Sequence, residues 1–183
     1  MIKVTKFGGS SLAGASPFKK VSDIILADET RRYVVPSAPG KRFPEDVKVT
    51  DMLYACYKAA VKGQDFEKKF DEIKERYNGI IAELGIELSL DEQYENIKAG
   101  FKGRAGRDYA ASRGEYLNGI ILAKYIGYEF IDAADLVFFN EDGTFNACTN
   151  LLSVMVPQSV TKIGEFAFAY CKNLSTVIIG RKV

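Results

Sequence analysis

Apolar and polar positions along the chain follow two periods, one typical of strands and one typical of helices. A short β-rich run around Val4 and the run 32–35 predict strands. Elsewhere, apolar residues recur every three to four positions and predict helices. The predicted helices are 16–28, 46–62, 65–84, 90–99 and 107–126, and the later predicted strands are 128–131 and 136–139. Strands that alternate with helices indicate the α/β class, with a mainly parallel sheet covered on both faces.

Helix 65–84 has the clearest apolar stripe. Its members are Phe66, Phe70, Ile73, Tyr77, Ile80, Ile81 and Leu84. A stripe of this kind is a packing face, so we assign it no chemical role. Local signals mark several helix ends: Ser16 and Pro17 predict the start of the first helix, and Gly63 and Gly85 predict the ends of the second and third.

The loop after the first strand carries the candidate chemistry. Lys6 precedes Gly8, Gly9 and Ser10, and a helix pattern follows. Glycines let the main chain approach an anion, and free N–H groups at a strand-to-helix turn can bind phosphate. An ordinary glycine-rich turn explains the same residues. Spacing alone leaves the two interpretations equal.

Composition excludes several function classes. The 183 residues carry 25 basic and 24 acidic side chains, a net charge of +1, which gives no case for binding nucleic acid or a charged membrane surface. No histidine is present, which removes Ser-His-Asp and Cys-His catalysis. With three scattered cysteines, a zinc site is not expected, and we assign no metal site. We also expect no signal peptide and no membrane span.

Five segments resemble aspartokinases of the amino-acid kinase superfamily, and they occur in family order over residues 1–146. The segments are VTKFGGSSLAGASPF, VVPSAPGK (34–41), KVTDMLYACY (48–57), SRGEYLNGIILAKYIG (112–127) and FIDAADLVFFNEDGTF (130–145). The resemblance implies a partial amino-acid kinase αβα sandwich with a mainly parallel sheet. It also implies ATP-dependent phosphorylation of the L-aspartate side-chain carboxylate, with ATP and Mg²⁺ as cofactors and a cytoplasmic location.

The resemblance also implies roles for individual residues. Lys6 is expected to stabilise charge on the transferred phosphoryl group, while Gly8, Gly9 and Ser10 bind phosphate oxygens. Three further residues are expected at the substrate: Ser37, Thr50 and Glu115. Each has a plainer alternative, since Ser37 can be a turn residue, Thr50 a helix cap and Glu115 a solvated helix residue.

The last part of the chain, 147–183, changes character and repeats on itself. Six residues recur at one offset of 23 positions: Cys148, Asn150, Leu151, Val154, Val156 and Val160 match Cys171, Asn173, Leu174, Val177, Ile179 and Val183. The offset lies in the leucine-rich-repeat range. The phrase VPQSVTKIGEFAFAYCKNLSTVIIG is similar to BspA-type leucine-rich repeats. It predicts a short β-rich tail in which 148–156 and 171–179 form equivalent parallel strands.

We therefore expect a kinase-like domain at 1–146 and a repeat fragment of fewer than two repeats at 147–183. Later aspartokinase segments are not recognised in the sequence, so we expect kinase activity to be impaired by truncation. A non-catalytic protein-interaction module acting through the repeat tail is the alternative function. Exposed edge strands are also expected to favour self-association.

Overall fold

The computed structural model describes residues 2–135, 153–156 and 175–179. By its internal contacts the chain divides into two compact units, Met1–Phe130 and Ile131–Val183. Within the described residues the first unit contains two strands, five α-helices and a short 3₁₀ helix, Gly9–Leu12, that follows the first strand. The strands and α-helices are β1 (Lys3–Phe7), α1 (Ala15–Leu26), β2 (Arg31–Pro36), α2 (Val49–Val61), α3 (Glu67–Leu84), α4 (Asp91–Lys102) and α5 (Arg107–Ile126).

Strands β1 and β2 pair in parallel, with Lys6 opposite Val35 and Phe7 opposite Pro36. Helix α1 connects them, as a parallel pair requires. The α/β class with a parallel sheet is therefore confirmed. One face of this sheet packs on the core through Phe7 and Val34. The opposite face carries Val4, which is 68% exposed.

The expectation of helices on both faces is thus met on one face only within the described residues. Tyr33 and Val35 are 57% and 48% exposed on the same side as Val4. Strand residues two apart share a face, so these three side chains and Lys6 lie together. An apolar surface borders the lysine on this outer face of the sheet.

The apolar stripe predicted for the third helix is buried in full. Phe66 and the six stripe residues of α3 are at most 8% exposed. The rings of Phe70 and Phe101 meet edge to face at 6.2 Å, and Phe70 meets Tyr94 in the same way at 6.1 Å. Each such ring pair contributes about 1 kcal/mol beyond the area it buries. This aromatic cluster joins α3 to α4, and Gly85 ends α3 with a φ of 68°, as predicted.

The predicted starts of the first two helices are wrong. Helix α1 begins at Ala15 and not after Ser16, because Gly14 is the capping residue and its carbonyl accepts the Phe18 N–H at 3.2 Å. Pro17 fits inside the first turn, where a backbone donor is not needed. Helix α2 begins at Val49, three residues after the predicted start at 46.

The other ends differ less. Helix α3 begins at Glu67, two residues after its predicted start at 65. Helix α4 starts one residue after its predicted start and extends to Lys102, and α5 has the predicted bounds. Residues 128–131 form no strand. Instead, Phe130 packs its ring edge to face on Tyr116 at 5.5 Å. The strand predicted at 136–139 lies outside the described residues.

The second unit contains a parallel pair of strands, β3 (Ser153–Val156) and β4 (Thr176–Ile179). Ser153 lies opposite Thr176 and Val156 opposite Ile179, which is an offset of 23 residues. The register therefore equals the sequence repeat, and the predicted parallel alignment is confirmed for these four positions. The predicted positions 148–152 and 171–174, which include Cys148 and Cys171, lie outside the described residues.

Candidate functional site

Two loops meet at the carboxyl ends of β1 and β2. The Gly40 N–H donates to the Gly9 carbonyl at 2.8 Å, and the Ser37 N–H donates to the Phe7 carbonyl at 2.9 Å. A side chain on Gly9 has no room, because its Cβ would lie 2.6 Å from the Ala38 oxygen. The same holds for Gly40, whose Cβ would lie 2.6 Å from the Gly9 carbonyl carbon. These glycines are required for the loops to touch.

A cleft of about 440 Å³ opens beside this loop contact. Five of the predicted site residues line it: Gly9, Ser10, Ser37, Thr50 and Glu115. They come from the loop that follows β1 (the β1 loop), the loop that follows β2 (the β2 loop), the first turn of α2 and the middle of α5. Residues far apart in sequence therefore converge on one concave surface, which is the usual form of a ligand site.

Lys6 and Gly8 are not among the residues that line this cleft in the described part of the chain. Lys6 is exposed near the end of β1. It lies on the outer face of the sheet, since the adjacent Phe7 packs on the core. Gly8 is extended, with φ −74° and ψ 163°. Their roles toward phosphate remain predictions.

Two lysines that were not predicted as site residues also line the cleft, Lys41 and Lys48. The Lys41 ammonium donates to the Pro44 carbonyl at 3.0 Å. Lys48 is the residue that precedes α2, and it is exposed. Both lie between β2 and α2, in a stretch rich in charged and turn-forming residues. That composition is the sequence signal that could have identified them.

A buried ion pair holds the loop that carries these lysines. Arg76 of α3 is 4% exposed at its side chain and lies 3.2 Å from the Asp46 carboxylate. Its guanidinium also donates to the Val47 carbonyl at 2.7 Å and to the Gly40 carbonyl. One side chain thus binds residues near both ends of the loop 40–48, and this explains why Asp46 is not helical.

Arg42 completes this network from the solvent side. Its Nε and Nη2 donate to the two Asp46 carboxylate oxygens at 2.9 Å each, and its backbone N–H donates at 2.9 Å. The hydrogen bonds from Arg42 hold the pKa of the Asp46 carboxyl well below its usual range, against burial, which acts to raise it. Asp46 is therefore a carboxylate at neutral pH.

Helix α5 supports the cleft through buried polar contacts. Asn118 is fully buried and its side-chain amide donates to the Ser37 carbonyl at 2.7 Å. One turn earlier, the Gly114 carbonyl accepts the Tyr77 hydroxyl at 2.8 Å. Burial raises the pKa of Tyr77 well above its usual value, so the phenol stays a donor. A buried asparagine in an otherwise apolar helix face is the sequence signal for this support.

The described residues contain no group of three or more His, Cys, Asp or Glu side chains that could hold a metal ion. Among the described residues, Glu115 is the one carboxylate that lines the cleft. Among the described helices, none is both long and apolar enough to cross a membrane. The site is therefore a polar cleft with cationic, hydroxyl and carboxylate groups.

Comparison with known proteins agrees with this geometry. The chain is 35% identical over 155 residues to aspartokinase 3 of Bacillus subtilis, covering 78% of this chain. The crystal structure of Clostridium acetobutylicum aspartate kinase superposes with a TM-score of 0.75 and 51% identity over 79% of this chain. The larger part of this chain is aspartokinase-like. The resemblance seen in the sequence is therefore confirmed.

This aspartokinase-like chain spans about a third of the length of those relatives, 34% of the Bacillus protein and 33% of the Clostridium structure. A further solved structure, Escherichia coli aspartokinase III in complex with lysine and aspartate, superposes with a TM-score of 0.53 and 25% identity, over 68% of this chain and 28% of the other.

Residues 133–183 match the family described as the BspA type leucine rich repeat region (6 copies). The repeat resemblance of the tail is confirmed as well.

Proposed function

We propose that this chain has an aspartate kinase-like function, the ATP-dependent phosphorylation of the side-chain carboxylate of L-aspartate. The observation that carries the proposal is the convergence of Ser10, Ser37, Thr50 and Glu115 on one cleft in a chain similar to aspartokinases. We further propose a cytoplasmic location, as the resemblance implies. Turnover by the 183-residue chain alone is proposed to be negligible.

The amino acid lies in the cleft in this proposal. The Glu115 carboxylate pairs with the substrate ammonium, the Thr50 hydroxyl donates to a carboxylate, and Ser37 lines the same surface. The reacting carboxylate has an ordinary pKa of about 3.9, so it is already a nucleophile at neutral pH. A general base is not needed, which agrees with a chain that contains no histidine.

The phosphate groups of ATP lie against the β1 loop in this proposal. Backbone N–H groups of Gly8, Gly9 and Ser10 donate to phosphate oxygens, and Lys6 offsets charge on the phosphoryl group as it transfers. The new bond joins a carboxylate oxygen to the γ-phosphorus, and the bond to the β-phosphate oxygen breaks to release ADP. Mg²⁺ bound with ATP would supply positive charge to the phosphate groups, and no described cluster of carboxylates is proposed to hold it.

We expect binding of L-aspartate without appreciable turnover. Isothermal titration should detect L-aspartate, and Glu115→Gln should weaken that binding about tenfold, because the ammonium loses its charged partner. A hydroxamate assay for aspartyl phosphate should give a negligible signal. The reason is that the 183 residues span only about a third of the length of the relatives they match.

Glu83→Gln is the matched control, since Glu83 is an exposed glutamate of α3 away from the cleft lining. It should bind L-aspartate as the unchanged chain does. Equal affinity in Glu115→Gln and the unchanged chain would contradict the proposed site. Robust hydroxamate formation that disappears in Lys6→Ala would contradict the expected loss of turnover.

We also propose that the strand edges of the tail support self-association. Within the described residues, β3 and β4 each pair on one side only. An unpaired strand edge offers a row of backbone donors and acceptors to another chain. Light scattering should therefore show an average mass that rises with protein concentration. A mass equal to that of the monomer over a wide concentration range would contradict self-association. Ile178→Pro, which removes one backbone donor from β4, should reduce the association.

A further inference from the structure

The charges that line the cleft are not balanced. In the part of the chain that the structure describes, Lys41 and Lys48 contribute two cations to the lining, and Glu115 contributes one carboxylate. The remaining lining residues are neutral side chains or glycines: Gly9, Ser10, Ser37, Ala38, Pro39, Gly40 and Thr50. An occupant that satisfies all three charges has two anionic groups and one cationic group.

The two lysines differ in what they already bind. The Lys41 ammonium donates to the Pro44 carbonyl. Lys48 lines the cleft two residues before Thr50 in the chain, and in the described residues its ammonium makes neither a hydrogen bond nor an ion pair. The buried Arg76 and Asp46 pair holds the backbone on the N-terminal side of Lys48, through Val47. The backbone beside Lys48 is therefore held in place, and its ammonium group is available to bind an anionic group of a ligand.

We infer that Lys48 is a specificity-determining residue that binds a carboxylate of a dicarboxylic amino acid in this cleft. The inference rests on the proposed function and adds a residue that the aspartokinase resemblance did not supply. An amino acid with two carboxylates and one ammonium matches the two lysines and Glu115 group by group. Removing the second carboxylate from the ligand leaves one lysine without a partner.

The test compares four ligands by isothermal titration at low salt. They are L-aspartate, succinate, L-asparagine and inorganic phosphate. Succinate keeps two carboxylates and lacks the ammonium, L-asparagine lacks one carboxylate, and phosphate reports a general anion site. The unchanged chain should bind L-aspartate more tightly than succinate, and both more tightly than L-asparagine.

Lys48→Met should weaken binding of L-aspartate and of succinate about tenfold, as expected for loss of one charged hydrogen bond. The effect on L-asparagine should be smaller. Lys48→Arg should restore most of the affinity, because it keeps the charge. Lys58→Met is the matched control, since Lys58 is an exposed lysine in the last turn of α2 away from the cleft lining. Its affinities should be those of the unchanged chain.

Three results would overturn the inference. One is unchanged affinity for both dicarboxylates in Lys48→Met. Another is loss of phosphate binding alone, which would assign Lys48 to the nucleotide. The third is failure of the unchanged chain to bind any dicarboxylate at millimolar concentration. If succinate binding depends on Lys48 but L-aspartate binds no more tightly than succinate, the role of Glu115 in the proposed function fails while the inference on Lys48 stands.

Discussion

Arg76→Met is expected to lower the free energy of unfolding by about 3–5 kcal/mol, the cost of breaking a buried ion pair by removing one partner. The Arg76 side chain is 4% exposed, and its loss removes donors from the Val47 and Gly40 carbonyls as well as from Asp46. Urea denaturation followed by circular dichroism measures the change, with the slope against denaturant checked for two-state behaviour.

Arg42→Met is the control for this result. Arg42 binds the same carboxylate at 2.9 Å, but its side chain is 51% exposed. Its removal should cost about 1 kcal/mol, because solvent replaces most of what the exposed guanidinium supplies. Equal losses for the two variants would show that burial is not what makes the Arg76 contact strong.

Acid should weaken the same network. The pKa of Asp46 is held below its usual range in the folded chain, so its contribution is fully present above the unfolded value and declines as pH falls below about 4. The Arg76→Met comparison is therefore best made near neutral pH, where Asp46 is ionised in both the folded and unfolded chains.

Gly9→Ala is expected to lower the free energy of unfolding by about 2–3 kcal/mol, the upper part of the usual cost of overpacking. The added Cβ would lie 2.6 Å from the Ala38 oxygen and 3.0 Å from the Gly40 nitrogen, and both are backbone atoms that cannot turn aside as a side chain can. The two loops must separate, and the hydrogen bond from Gly40 to Gly9 should be lost. Thermal denaturation and amide hydrogen exchange at Gly40 measure both effects.

Gly8→Ala is the matched control from the same loop. A Cβ there meets no atom within 4 Å, and the backbone is in an ordinary extended conformation. Its stability should change by less than about 0.5 kcal/mol. If Gly8→Ala and Gly9→Ala were equally destabilised, the glycine-rich run would matter for chain flexibility and not for the close approach of two loops.

Much of the first unit was predictable because its signals are local. The buried stripe of α3 follows from apolar spacing, and the left-handed Gly85 follows from the end of that spacing. The parallel register of β3 and β4 follows from a repeat of 23 residues, since each repeat places equivalent positions side by side. Likewise, the residues that converge on the cleft were recognised through ordered family segments.

Contacts between distant segments account for what was not predicted. Asp46 has the sequence features of a helix start. Its carboxylate instead pairs with Arg76, thirty positions later in the chain, and α2 begins at Val49. Residues 128–131 have the pattern of a strand, but they form none, and the Phe130 ring instead packs on Tyr116.

The sequence by itself determined which segments become helices, which face of α3 is apolar, and which residue types are available to bind an amino acid and phosphate. Only the tertiary structure decided that Lys41 and Lys48 line the cleft while Lys6 lies on the outer face of the sheet. The physical reason is that charge placement depends on where loops are held. That position comes from a buried arginine on one helix, a buried asparagine on another, and two glycines that let the loops meet.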